Sequence, residues 1–227
     1  MVWFGVPDMA HAGALTSYYV ANRSELIPSL EKLLRLADLG IIDLRVREEG
    51  VLGEATQQLS LFDSNAEQQQ SMPTRRYLTF EHQGDRLSEL FALENESYGT
   101  RQLLILGTLL LDGIRGGCTI LVDELDASLH PQLVRALVEL FYRDNPHNAQ
   151  LIFNTHDATL LSGELFRRDQ VWFVEKDRQG ASQLSPLLDF SPRKDESLER
   201  GYLRGRYGAV PFIDGDAWQG LAGDAKS

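Results

Sequence analysis

Two short apolar segments, each ending in polar residues, constrain the fold of this 227-residue chain more than any other feature. Thr119–Val122 runs directly into Asp123 and Glu124, and Leu151–Phe153 runs into Asn154-Thr-His156. The segment between them carries apolar residues at helical spacing: Leu133, Leu137, Val138 and Phe141. A strand, a helix and a second strand at these distances predict a right-handed crossover in a largely parallel sheet, with the polar residues emerging at one edge.

The first third of the chain predicts a separate α+β insertion. Residues 24–39 have apolar positions at helical spacing up to Gly40, and Ile41–Arg47 alternates as a half-buried strand does. Three apolar residues of this strand are expected on one side: Ile42, Leu44 and Val46. The Gln-rich stretch 57–72 indicates a mobile loop, and 77–82 resumes a strand.

After Asn95 the pattern becomes α/β, with an apolar helix over Gln102–Leu111 and a further strand at Val171–Val174. We therefore predict an α/β fold with a mostly parallel sheet. The expected organisation is an insertion region at 1–82, a catalytic half at 83–212 and a flexible tail at 213–227.

The residues after the two strands have the chemistry of phosphoryl transfer. A strand-end Asp such as Asp123 suits Mg²⁺, and a neighbouring carboxylate such as Glu124 suits the attacking water. His156 is expected to face Glu124 across neighbouring strands. Ser128 is predicted to cap the helix that begins near Pro131.

An anion site is predicted upstream, where Ser97-Tyr-Gly-Thr100 precedes the apolar helix. A hydroxyl, free backbone N–H groups and the positive end of the helix dipole come together at such a helix start.

Taken in chain order, these motifs resemble the head of an ABC-type ATPase. The matching motifs are the signature at Ser97–Thr100, Walker B at Ile120–Asp123 with Glu124, the D-loop around Asp126 and the switch histidine His156. Ser-x-Gly-Thr followed by Arg101 looks more like the ABC-type ATPases of bacterial abortive-infection and phage-defence systems than like transporters. The resemblance extends through three later segments: Phe173–Asp177, Asp189–Arg193 and Gly201–Pro211.

The resemblance implies ATP and Mg²⁺ as ligands and a role for each matching residue at the sheet edge. Asp123 would hold Mg²⁺ through water, Glu124 would polarise the attacking water, and His156 would contact the γ-phosphate. Asp126 would belong to the D-loop. The fold implied is the C-terminal part of a P-loop ABC-ATPase head.

The resemblance also implies a dimer in which two heads enclose ATP. Ser97, Gly99 and Thr100 would then contact the nucleotide of the opposite head. The resemblance further suggests a separate effector nuclease that hydrolysis would control, while nucleic-acid binding stays open.

The phosphate-binding loop G-x-x-x-x-G-K-[ST] does not occur in this sequence. Of the four lysines, only Lys226 precedes a Ser, and there Ala225 replaces the second Gly. We therefore expect a truncated gene, a split half or a fragment, which is inactive alone and needs a Walker A-bearing partner.

Charge and composition bear on partners and location. A net charge of −11 disfavours a large DNA footprint, although Arg193, Lys194, Arg200, Arg204 and Arg206 form a local basic cluster suited to a phosphate or partner contact. The single cysteine fits a reducing, cytoplasmic setting, and the longest apolar run is too short to span a membrane.

Two alternatives to a hydrolysing ABC-type head stay open. The first is an interaction module that dimerises without ATP turnover, which the absent loop favours. The second is a ring-forming AAA+ ATPase in which Asn154 is a sensor residue. The signature-like Ser97–Thr100 before Walker B argues against a ring, because ring ATPases lack such a motif.

A third alternative is a nuclease with Asp123, Glu124 and Asp126 as metal ligands. It would require further acidic residues at other strand ends, and Glu175 and Asp177 are the candidates.

Overall fold

The computed structural model describes residues 2–4, 9–37, 39–50, 74–84, 88–193 and 196–211. Two compact units are present, Met1–His156 and Asp157–Ser227. The predicted loop at 57–72 and the predicted tail at 213–227 lie outside the described residues. The proposed boundary at 82/83 stays a prediction.

A parallel sheet organises the first unit. Strands β1 (Val2–Phe4), β5 (Thr119–Val122) and β6 (Gln150–Phe153) lie in the order β1-β5-β6, and both pairings are parallel. The β5–β6 register places Ile120 opposite Leu151 and Val122 opposite Phe153. The predicted parallel α/β arrangement is confirmed.

Four helices of the first unit are α1 (Met9–Ala21), α2 (Ile27–Leu36), α3 (Tyr98–Gly116) and α4 (Pro131–Arg143). Helix α3 is the core helix, because its side chains are buried over most of its length. It ends at Gly117, whose left-handed backbone (φ 62°) suits glycine. A Cβ atom at Gly113 would collide with Ile120 of β5, so this glycine lets α3 pack closely on the sheet. None of the described helices is long and apolar enough to cross a membrane.

An antiparallel sheet follows α2 in the chain. Its strands are β2 (Ile41–Gly50), β3 (Thr74–His82) and β4 (Glu89–Ala92), in the order β2-β3-β4. The register of β2 shifts between Ile41 and Asp43, so the buried residues are Ile41 and Leu44. The predicted face of Ile42, Leu44 and Val46 is thus wrong at Ile42, because an irregularity changes the side-chain alternation there.

The second unit is built on a hairpin of β7 (Trp172–Lys176) and β8 (Ser182–Pro186). The strand predicted at Val171–Val174 exists, but it pairs antiparallel with β8 instead of extending the parallel sheet. Helix α5 (Leu198–Leu203) follows. The core of this unit comprises Phe173, Leu187, Leu198 and Tyr207, and the rings of Phe173 and Tyr207 stack with centroids 5.3 Å apart.

Arg206, for which a phosphate or partner contact stays a prediction, also has contacts within this unit. It forms an ion pair with Glu196 and lies over the ring of Tyr207. The hydroxyl of Tyr207 donates to the same carboxylate at 2.9 Å, and the backbone N–H of Arg193 donates to its second oxygen at 3.1 Å.

Stability at low pH should depend on Glu196. Partial burial opposes its ionisation, but the bonds from Tyr207 and Arg193 and the charge of Arg206 prevail and lower the pKa of Glu196 below its ordinary 4.5. A depressed carboxyl pKa stabilises the fold above the unfolded pKa, and that stabilisation is lost as pH falls through the folded value.

We expect the melting temperature of Glu196→Gln to fall less than that of wild type between about pH 6 and pH 3, measured by circular dichroism. Glu199→Gln also removes one negative charge, from the helix α5 that follows Glu196, and serves as the control. Parallel pH curves for wild type and Glu196→Gln would contradict this role.

Candidate functional site

The carboxyl ends of β5 and β6 form one edge of the parallel sheet, and the predicted site residues begin there. The backbone pairing continues one step beyond the strands, because the N–H of Asn154 donates to Val122 O at 3.3 Å. The N–H of Leu125 in turn donates to Asn154 O at 3.1 Å. Asp123 and Glu124 therefore lie directly beside Asn154, as ligand-binding residues of open parallel sheets do.

The side chain of Asn154 connects the two acidic residues. Its amide nitrogen Nδ2 donates to Asp123 Oδ1 at 2.6 Å, and its oxygen Oδ1 accepts from the backbone N–H of Glu124 at 2.5 Å. The sequence pattern predicted a role for Asn154 only as the sensor residue of a ring-forming ATPase. Asn154 directly follows β6, which pairs with the strand that precedes Asp123 and Glu124, and this position is the signal that could have identified it.

A tight turn follows β5 and presents Glu124. The backbone of Glu124 is left-handed (φ 52°), which is uncommon for a residue with a side chain. The turn is closed by a bond from Ala127 N–H to Glu124 O at 2.9 Å, and Leu125 is fully buried beneath it. Glu124 itself is exposed. Its carboxylate is thus presented to solvent from an anchored backbone.

Asp126 and His156 are brought together by a bond between the backbone of His156 and the side chain of Asp126. The N–H of His156 donates to Asp126 Oδ1 at 3.3 Å. His156 was predicted to face Glu124 across neighbouring strands. The neighbouring strands are confirmed, and a contact between those two side chains stays a prediction.

The cap of helix α4 differs from the predicted one. His130, not Ser128, is the N-cap, and its Nδ1 accepts from the N–H of Gln132 at 3.2 Å, with Pro131 in the first turn. Ser128 has a left-handed backbone (φ 59°) and lies two residues before His130, in the turn that precedes the helix.

The predicted anion site at the start of α3 has a capped helix end. Ser97 is the N-cap, and its Oγ accepts from the N–H of Thr100 at 3.0 Å and lies 2.8 Å from Thr100 Oγ1. Just before it, Glu96 is buried, and its Oε1 lies 2.7 Å from Nε2 of His82. Ser97 is exposed while Thr100 is buried, so the first turn of α3 packs against the protein on one side and is accessible to solvent at Ser97.

The start of α3 and the turn after β5 lie in close contact. A Cβ atom at Gly99 would be 3.1 Å from the backbone oxygen of Ser128, which is tighter than an ordinary contact. Glycine therefore permits the two candidate segments, 97–100 and 124–130, to approach each other.

The acidic residues suit a Mg²⁺ site with one or two carboxylate ligands better than a metal site built from three or more protein side chains. Within the described residues, no group of three or more His, Cys, Asp or Glu side chains is arranged to hold a metal. Mg²⁺ at nucleotide sites is held by one or two carboxylates with waters and phosphate oxygens, and Asp123 supplies such a carboxylate. The nuclease alternative, which needs Asp123, Glu124 and Asp126 as joint ligands, is not favoured by this geometry.

Replacing the cap of α3 should destabilise the helix start. We expect Ser97→Ala to lower the free energy of unfolding by about 1 kcal/mol, because the N–H of Thr100 loses its acceptor. Ser97→Thr, which retains a hydroxyl, is the matched control. The measurement is urea unfolding followed by far-UV circular dichroism, and equal midpoints for Ser97→Ala and wild type would show that the cap contributes nothing.

Comparisons with known proteins agree with an ATPase-type domain. A family model described as "AAA domain, putative AbiEii toxin, Type IV TA system" matches residues 10–162. No curated protein matches the chain. Among solved structures, an SmcHead bound to the C-winged helix domain of ScpA is similar with 16% identity and a TM-score of 0.47, over 71% of this chain and 42% of that one.

A second similar structure is the Smc head domain with a coiled coil and joint derived from Pyrococcus yayanosii. It has 17% identity and a TM-score of 0.44, over 71% of this chain and 26% of that one. The chain thus spans less than half the length of either structure. Since the family model covers well over half of the 227 residues, the chain belongs to this AAA-domain family.

Proposed function

We propose that the chain is the hydrolysis half of an ABC-type ATPase head, which turns over ATP once a phosphate-binding loop is supplied. The observation that carries the proposal is the edge of β5 and β6, where Asn154 holds Asp123 and the backbone of Glu124 together. A strand-end carboxylate beside a second, exposed carboxylate is the arrangement that ATP hydrolysis uses.

Each residue at this edge has a distinct proposed role. Asp123 would hold Mg²⁺ through water, and bound Mg²⁺ supplies charge neutralisation at the phosphate oxygens. Glu124 would orient the attacking water and accept its proton. His156 would donate to the γ-phosphate, and Asp126 would keep the backbone of His156 in place through the bond at 3.3 Å.

The start of α3 is proposed to act on a second nucleotide. Ser97, Gly99 and Thr100 would face the ATP of an opposite head, which is a second copy or a loop-bearing partner. An exposed hydroxyl and the N-terminal dipole of a 19-residue helix support anion binding there. We further propose a cytoplasmic antiphage role in which this dimer controls an effector nuclease.

A second candidate function is a non-hydrolysing interaction module. The observation in its favour is the sequence itself, which contains no G-x-x-x-x-G-K-[ST] motif to hold the phosphates. The two candidates are separated by ATP hydrolysis assays of the chain with and without a polypeptide that carries such a loop. Hydrolysis only with the loop supports the first function, and none in either case supports the second.

The isolated chain should bind ATP weakly or not at all, because the missing loop normally supplies most phosphate contacts. Isothermal titration calorimetry of the 227-residue chain with Mg²⁺–ATP should give no saturable heat at micromolar concentrations. Micromolar affinity for the chain alone would contradict the expected need for a loop-bearing partner.

In an assembly that contains the loop, Glu124→Gln should keep ATP and Mg²⁺ binding but lose most turnover. Gln remains polar and nearly isosteric but cannot accept a proton, so the expected loss in rate is about 10²–10⁴-fold. Asp123→Asn is the matched comparison and should weaken nucleotide affinity as well as rate. An unchanged rate for Glu124→Gln would rule out Glu124 as the base and redirect attention to Asp126 or His156.

A further inference from the structure

We propose that Asn154 is the positioning residue of this site, fixing the carboxylate of Asp123 and the backbone of Glu124 as a single unit. The inference rests on the proposed function, because Asn154 would position Asp123 and Glu124 for ATP hydrolysis. Its evidence is the bonding of Asn154 in the chain itself.

The main chain of Asn154 is fixed first. Its N–H donates to Val122 O and its carbonyl accepts from Leu125 N–H, so Asn154 occupies one further position of the β5–β6 pairing. A residue held at both backbone groups presents its side chain from a defined point. The amide is thereby directed to the two residues between its backbone partners, Asp123 and Glu124.

The amide group of Asn154 has one orientation that satisfies both neighbours. A carboxylate oxygen of Asp123 can only accept, so it requires the Nδ2 group, and the N–H of Glu124 can only donate, so it requires Oδ1. Reversing the amide would place oxygen against oxygen and N–H against N–H. Asn is therefore matched to this pair, because Asp lacks the donor and Leu lacks both groups.

The bond to Glu124 also supports an unusual backbone. Glu124 has φ of 52°, and non-glycine residues adopt that conformation only where surrounding contacts hold it. The 2.5 Å bond from its N–H to Asn154 and the 2.9 Å bond from Ala127 N–H to its carbonyl are such contacts. Loss of Asn154 would free Glu124 to leave this conformation and its carboxylate to move with it.

An asparagine whose side chain also donates one hydrogen bond and accepts another lies near the other end of β6 and serves as a control. The side chain of Asn145 donates to Ala149 O and accepts from Ala149 N–H, both at 2.8 Å. Asn145→Ala therefore removes two side-chain bonds to its neighbours, as Asn154→Ala does, without touching Asp123 or Glu124. It measures the general cost of losing an Asn.

The test is amide hydrogen exchange and carboxyl ¹³C chemical shift by NMR on the nucleotide-free 227-residue chain. Asn154→Ala should speed exchange of the Glu124 amide at least about tenfold and shift the Asp123 carboxyl resonance, since both bonds are lost. Asn154→Asp should keep Glu124 protected, because a carboxylate still accepts, yet shift the Asp123 resonance, because the donor is gone. Asn145→Ala should change neither signal.

An unchanged Glu124 exchange rate in Asn154→Ala, or an equal acceleration in Asn145→Ala, would overturn the inference. If Asn154→Ala does not fold, Asn154→Asp decides alone: an unmoved Asp123 resonance overturns it. These readouts need no ATP, so they stand or fall separately from the turnover of Glu124→Gln, which tests the proposed function.

Discussion

The parallel pairing of β5 with β6 is the interaction on which the candidate site depends. Because both strands run in the same direction, the polar residues that follow each of them reach the same edge of the sheet. The pairing then continues through the backbone of Asn154, which bonds to Val122 and Leu125. A register shift of one residue would direct the Asn154 side chain to the other face and separate it from Asp123.

The turn after β5 links two segments with different proposed ligands. Glu124 and Asp126 lie within it, and Ser128 meets the start of α3 at Gly99. Its inner residue Leu125 is fully buried, so the turn has little freedom to move alone. Ser128 and Gly99 are thus the point at which the acidic turn and the start of α3 contact each other.

Strong local patterns were predictable from sequence, whereas long-range partners were not. The strand at Thr119–Val122 was predicted with the observed bounds, because a short apolar run between two glycines and two acidic residues indicates a buried strand. Helix α3 is longer than predicted because the cap at Ser97 lies upstream of its apolar stretch. The ion pair of Arg206 was not predicted because Glu196 is ten residues away, and pairing at that distance depends on the fold around Tyr207. The bonds of Asn154 likewise appear only once the strand register is known.

The distribution of hydrogen-bond donors supports the role proposed for Glu124 among three neighbouring carboxylates. Asp123 receives the amide of Asn154, and Asp126 receives the backbone N–H of His156. Glu124 instead donates its backbone N–H to Asn154 Oδ1, and its side chain is exposed. Two carboxylates are thus held in place by donors, and the third is the one to which the proposed function assigns the role of accepting a proton.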